Sequence, residues 1–187
     1  MRRVFNTLYL IFSFIFIGYL LIPQPGYPNP LRDSIQSDEP ADVESPLRRG
    51  YYSQLGRAEV IEHYKYSFDL KNLYGFIFQY PFVRLNYPPE ESQTLIRDQT
   101  RSTYLEEIVH PLRESIFING FEPKLDKDVI IKNGIQYRQK VIVKYYQSNV
   151  FSRLFVGFGI ILILYYTISY YFEFLKDSQL TLKKNHD

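Results

Sequence analysis

The sequence predicts an α+β protein: a small extracytoplasmic domain with an antiparallel sheet and two helices, flanked by two transmembrane helices. Three observations predict it. Val4–Ile22 and Leu154–Phe172 are long apolar blocks without a charged residue, and a hydrocarbon core of ~30 Å takes about 20 helical residues at ~1.5 Å each. Between them, Val60, Ile61, Tyr64 and Phe68 recur at helical spacing. Asn133-Gly134 then separates two apolar-rich arms, a strong signal for a type I′ hairpin.

These features divide the chain into a transmembrane helix over 4–22 and a Pro-rich, acidic spacer over 23–47. An extracytoplasmic α+β domain over 48–147 follows, then a second transmembrane helix over 151–172 and a cytoplasmic tail over 173–187. The first block follows Arg2 and Arg3. It exceeds the usual apolar run of a secretory signal, and no small-residue cleavage pattern follows it, so a retained anchor is expected. Arg2 and Arg3 place the N-terminus in the cytoplasm. Two spans then put both termini on that side and residues 23–150 outside, in the inner (plasma) membrane. The Lys and Arg residues around the second span do not discriminate, because most of its outer ones belong to a strand.

The totals narrow the function classes. Of 187 residues, 18 are Tyr and 15 are Phe, while Cys and Trp are absent and the net charge is +2. Without cysteine there are no disulfides, no thiolate-bound zinc or iron–sulfur centre and no thiol catalysis. No N-glycosylation sequon occurs either, and together these absences favour a bacterial cell envelope. The dispersed charge argues against nucleic acid as a partner. Neither apolar block carries an Asp, Glu, Lys, Arg or His, and such charges inside a span are the usual mark of an ion path.

In order along the domain, Pro23–Ser45 shows no period and reads as an extended spacer or a wall-hugging arm. Its acidic run, Asp38, Glu39, Asp42 and Glu44, reads as solvated, with Arg48 and Arg49 nearby to pair with it. A helix is expected over Arg57–Leu70 with Gly56 as N-cap. A strand is expected over Phe82–Tyr87, broken or bulged at Pro81, and Pro88-Pro89-Glu90-Glu91 opens a second helix carrying Leu95 and Ile96. That helix reaches about Thr103 or a little beyond, since Leu105, Ile108, Val109 and Leu112 also fit helical spacing. An irregular turn near His110-Pro111 and a strand from Arg113 follow, with Asn119-Gly120 as a turn. The hairpin arms are Asp128–Lys132 and Ile135–Tyr146. In the second, Ile135, Tyr137, Val141, Val143 and Tyr145 share the core face.

No catalytic or metal-binding constellation emerges. His63 is placed on a helix flank and His110 before a proline. Neither Glu62-His63 nor Glu107-x-x-His110 has the convergent spacing that zinc requires. Glu90/Glu91 and Glu106/Glu107 are neighbours in sequence, point in different directions and read as solvated surface. No cofactor is expected. Arg97, Arg101 and Arg113 are the binding candidates, as a basic groove for an anionic polymer or a peptide carboxylate. Asp98, Glu106 and Glu114 are interleaved with them, which also suits intradomain ion pairs.

The role that follows is interaction or scaffolding within an envelope assembly, with the bilayer, other envelope proteins or the chain itself as partners. A channel or transport subunit and a membrane-anchored envelope enzyme are the alternatives. The joint Gln147-Ser148-Asn149 is short and the Pro-rich segment long. A flexible insertion is therefore expected to be tolerated better near Asp38 than at Ser148.

Overall fold

The computed structural model describes residues 2–68, 82–87, 103–123 and 125–184. The chain forms two compact units, one from residues 1–22 and 148–187 and the other from residues 23–147. The protein is α+β, with three helices among the described residues: α1 (Arg2–Leu21), α2 (Arg57–Ser67) and α3 (Val150–Lys184).

The first unit pairs α1 with α3. Arg3–Leu21 and Val150–Lys176 are long and apolar enough to cross a membrane, and only 17% and 11% of their most apolar windows are buried. So little burial distinguishes them from core helices of a water-soluble protein. They run antiparallel: the Phe5 and Phe172 rings lie 5.3 Å apart and the Tyr9 and Tyr165 rings 5.4 Å apart. At the other end, Arg153 Nη1 donates to the Ile22 carbonyl at 3.3 Å. A Cβ on Gly157 would overlap the Leu20 side chain. A residue without a side chain lets two helix backbones approach closely. Tyr9 adds a hydrogen bond to the Ile161 carbonyl. The expected second span ended at 172, but α3 continues to Lys184. Glu173–Lys184 contains no Gly or Pro to stop it.

The second unit is built on a six-stranded antiparallel sheet. Its members are β1 (Ile35–Gln36), β2 (Arg48–Ser53), β3 (Phe82–Tyr87), β4 (Tyr104–Val109), β5 (Ser115–Phe121) and β8 (Gln139–Tyr146), in the spatial order β1-β2-β8-β5-β4-β3. A separate two-stranded hairpin joins β6 (Ile130–Lys132) to β7 (Ile135–Tyr137). Asn133 and Gly134 both have positive φ, 53° and 75°, as the expected type I′ turn requires. The second arm is broken at Arg138, however, and only β8 joins the main sheet.

α2 covers one face of the sheet. Val60, Tyr64 and Phe68 enter a core with Tyr51, Tyr104, Ile108, Ile116, Ile118, Val141, Val143 and Tyr145. Gly56 caps the helix, and its N–H donates to Glu59 Oε2 at 2.7 Å, satisfying an otherwise orphaned donor.

Four expectations are corrected. Residues 23–47 do not form a free spacer. They supply β1, a short 3-10 turn at Pro40–Asp42 and the core residue Leu31. Tyr145 donates to the Pro25 carbonyl at 2.9 Å and Tyr27 to the Val143 carbonyl at 3.1 Å. Proline removes donors but leaves carbonyls for the sheet's tyrosines to find.

Tyr104–Val109 is a strand, not the end of a helix, and pairs with β3 on one side and β5 on the other. Its helical spacing was produced by burial on both faces: Tyr104, Glu106 and Ile108 are buried, and so are Glu107 and Val109. Glu106 and Glu107 are therefore not solvated surface. Asn119 and Gly120 lie within β5 instead of a turn. A Cβ at Gly120 would overlap the Tyr104 ring, so this glycine marks a close approach. The expected helix after Pro88 falls outside the described residues. The strand Phe82–Tyr87 is present, with an irregular register between Val83 and Leu85.

Candidate functional site

The domain contains an open cleft of about 590 Å³ where α2 borders β3 and β4, lined by Arg57, Ile61, Glu62, Lys65, Val83 and Glu106. Its polar end is fixed by an ion pair. Arg57 Nε donates to Glu106 Oε1 at 2.9 Å, and its Nη2 reaches the same oxygen. The Arg57 guanidinium also lies 5.2 Å from the Tyr104 ring centre. Glu106 has a side-chain exposure of 4%, against 37% for Arg57. The carboxylate thus depends on this cation for most of its solvation. Tyr104 donates to Gln139 Oε1 at 2.7 Å, while Gln139 Nε2 donates to the Leu55 carbonyl at 2.5 Å. Burial raises the Tyr104 phenol above its ordinary value, and the Glu122 carboxylate adds to the shift. Its hydroxyl remains a neutral donor.

A second charged cluster lies at the β1–β2–β8 edge. Lys140 Nζ sits 2.7 Å from Glu39 Oε2 and 2.7 Å from Asp42 Oδ2. Tyr52 donates to Glu39, and Lys132 Nζ is 3.6 Å from Asp38. Glu44 takes Arg48 at 3.0 Å. The acidic run read as solvated is therefore largely engaged, and Lys140, far away in sequence, is its centre. Gly50 makes this possible, since a Cβ there would stand 2.6 Å from Asp42 Oδ2. The Glu39 carboxyl is held below its usual range by hydrogen bonds from Lys140 and Tyr52. Partial burial opposes the charge on Lys140, but Asp42 and Glu39 outweigh it and raise its pKa.

Of the three arginines expected to form a basic groove, Arg97 and Arg101 lie outside the described residues. Arg113 is buried, not on an open surface. Its Nη2 is 2.8 Å from Glu114 Oε1, both side chains are fully buried, and it donates to the Pro23 carbonyl at 3.1 Å. The interleaved glutamates thus act as ion-pair partners, Glu114 for Arg113 and Glu106 for Arg57.

The histidines do not converge. His63 Nε2 faces the Asn29 carbonyl at 3.2 Å. His110 is buried, with Nε2 2.7 Å from the Phe68 carbonyl and its ring 4.6 Å from that of Phe68. Among the described residues, no three His, Asp or Glu side chains come together as a metal-binding group would.

Sequence reasoning missed the Arg57–Glu106 pair, the Lys140 cluster and buried Gln139. Gly50 inside a tyrosine-rich strand was a usable signal for the Lys140 cluster, because an interior strand glycine often marks a close approach. Compared with known proteins, the chain matches no family model, no curated protein and no solved structure.

Proposed function

We propose that this chain is a two-pass membrane protein that presents its α+β domain outside the cytoplasm, with both termini inside, as an interaction or scaffold subunit of a bacterial envelope assembly. Its partners are the bilayer together with other envelope proteins or further copies of itself. The observation that carries this reading is the pairing of α1 with α3 around Gly157 and Leu20, two apolar helices with a folded unit inserted between them in sequence. The domain's buried charges support it. Glu106, Glu114 and Asp42 are each paired with a cation of the same unit. Buried pairs of this kind add little net stability, and in some proteins they serve to fix one conformation.

The test is recovery of tagged protein from crosslinked membranes in mild detergent. A discrete partner or a defined oligomer that survives stringent washing is expected. Recovery of the monomeric chain alone, with and without crosslinker, would contradict the proposal.

A further inference from the structure

The outward face of the sheet, opposite α2, carries an unusual group at the end where β8 leaves the domain. Lys144 pairs across β8 and β5 with Phe117, and Tyr146 pairs with Ser115, so Lys144, Phe117 and Tyr146 share one face. The Phe117 and Tyr146 rings meet edge to face at 5.2 Å, and Lys144 Nζ lies 5.0 Å from the Tyr146 ring centre. The turn joining β4 to β5 at the same end projects Leu112, which is 48% exposed, while Tyr146 is 44% exposed. Leu112 holds a positive φ of 58°, a conformation disfavoured for a branched side chain without a local reason. Among the described residues, Lys144 makes no ion pair, whereas Lys140, four residues earlier on the same face, has two.

We infer that this group is a lipid-headgroup contact: Leu112, Phe117 and Tyr146 enter the interfacial layer, and Lys144 meets lipid phosphates. The inference rests on the proposed membrane reading and adds a surface to it. Chain length is its first support. Tyr146 precedes the start of the apolar window at Val150 by four residues, and four residues reach at most about 14 Å even when fully extended. The polar layer on each side of the hydrocarbon core is itself about 5–8 Å deep. Chemistry is its second support. Tyrosine rings with one polar tip favour the headgroup level, and a nearby unpaired lysine is attracted to anionic lipid and lost to salt screening.

The chain has no tryptophan, so single-tryptophan variants report each position without background. The full-length protein is reconstituted in vesicles of phosphatidylcholine and phosphatidylglycerol, with or without brominated acyl chains. Phe155→Trp marks the span, Ile131→Trp marks the hairpin, and Tyr146→Trp and Leu112→Trp report the inferred contact. Quenching by brominated lipid is expected for Phe155→Trp and, more weakly, for Tyr146→Trp and Leu112→Trp. These last two are also expected to be at least about twofold less accessible to acrylamide than Ile131→Trp. Adding Lys144→Glu to Tyr146→Trp should reduce its protection in the anionic vesicles. If Phe155→Trp is quenched while Tyr146→Trp and Leu112→Trp match Ile131→Trp in both measurements, the contact is overturned and the span stands. If Phe155→Trp is not quenched, the membrane reading fails and the contact fails with it.

Discussion

Gly157 of α3 lies directly against Leu20 of α1, where a Cβ would overlap the Leu20 side chain, and Leu20 is fully buried. Gly157→Leu is therefore expected to separate the two helices. Overpacking of this kind costs about 1–3 kcal/mol. The chain is free of cysteine, so trapping of Phe5→Cys to Phe172→Cys with a short bis-maleimide crosslinker, at positions whose native rings lie 5.3 Å apart, measures the effect. Trapping should fall sharply in the Gly157→Leu background, and unchanged trapping would show that the contact does not hold the pair.

Arg57→Met removes the cation from a buried carboxylate. Stranding a fully buried charge costs about 3–5 kcal/mol. Arg57 is more than a third exposed, so solvent screening reduces the expected loss to about 1–3 kcal/mol. Arg57→Met combined with Glu106→Met should be less damaging than Arg57→Met alone, because no charge is then left unpaired. Denaturant unfolding of the detergent-solubilised protein reads both.

Gly120→Ala is expected to destabilise the domain by about 1–3 kcal/mol, because the new methyl would overlap the Tyr104 ring. Tyr104→Ala alone also destabilises, since it removes a buried ring and the hydrogen bond to Gln139. The two changes together should cost less than the sum of their separate effects. Strict additivity would place the cause elsewhere.

The Lys140 cluster should release the β1 segment at both extremes of pH. The Glu39 carboxyl titrates below its unfolded value. Its contribution is therefore present above the ordinary carboxylate range and lost as pH falls through the lowered folded value. The Lys140 pKa is raised, so its contribution is present below the ordinary lysine value and lost as pH rises through the raised one. Amide exchange at Ser37, whose N–H donates to the Gly50 carbonyl at 2.8 Å, reports the segment. Lys140→Met should speed exchange at neutral pH and flatten its acid dependence.

The short elements with one buried face were legible in the sequence. Val60 and Tyr64 named the inner side of α2, with Phe68 just past its last residue, and Asn133-Gly134 fixed the hairpin turn. Gln139 shows why the rest was harder to read. It shares the odd-numbered core face with Val141, Val143 and Tyr145, yet reads as polar until Tyr104 and Leu55 are seen to satisfy its amide. Glu106 misled in the same way, because a buried carboxylate resembles a solvated one until Arg57 is brought to it across 49 positions of sequence. Residues 23–47 bind through proline carbonyls, a glycine gap and a distant lysine, none of which creates a hydrophobic period. The expected tolerance of an insertion near Asp38 is revised accordingly. Six flexible residues there would separate β1 from the turn that Lys140 holds, and the domain should lose stability.

Side-selective labelling of single cysteines tests the two-pass arrangement most directly. In intact cells, a membrane-impermeant maleimide should label Ile131→Cys, on the 64%-exposed hairpin position. It should reach Arg3→Cys and His186→Cys only after permeabilisation. Labelling of Arg3→Cys or His186→Cys in intact cells, or protection of Ile131→Cys until the membrane is opened, would contradict the account.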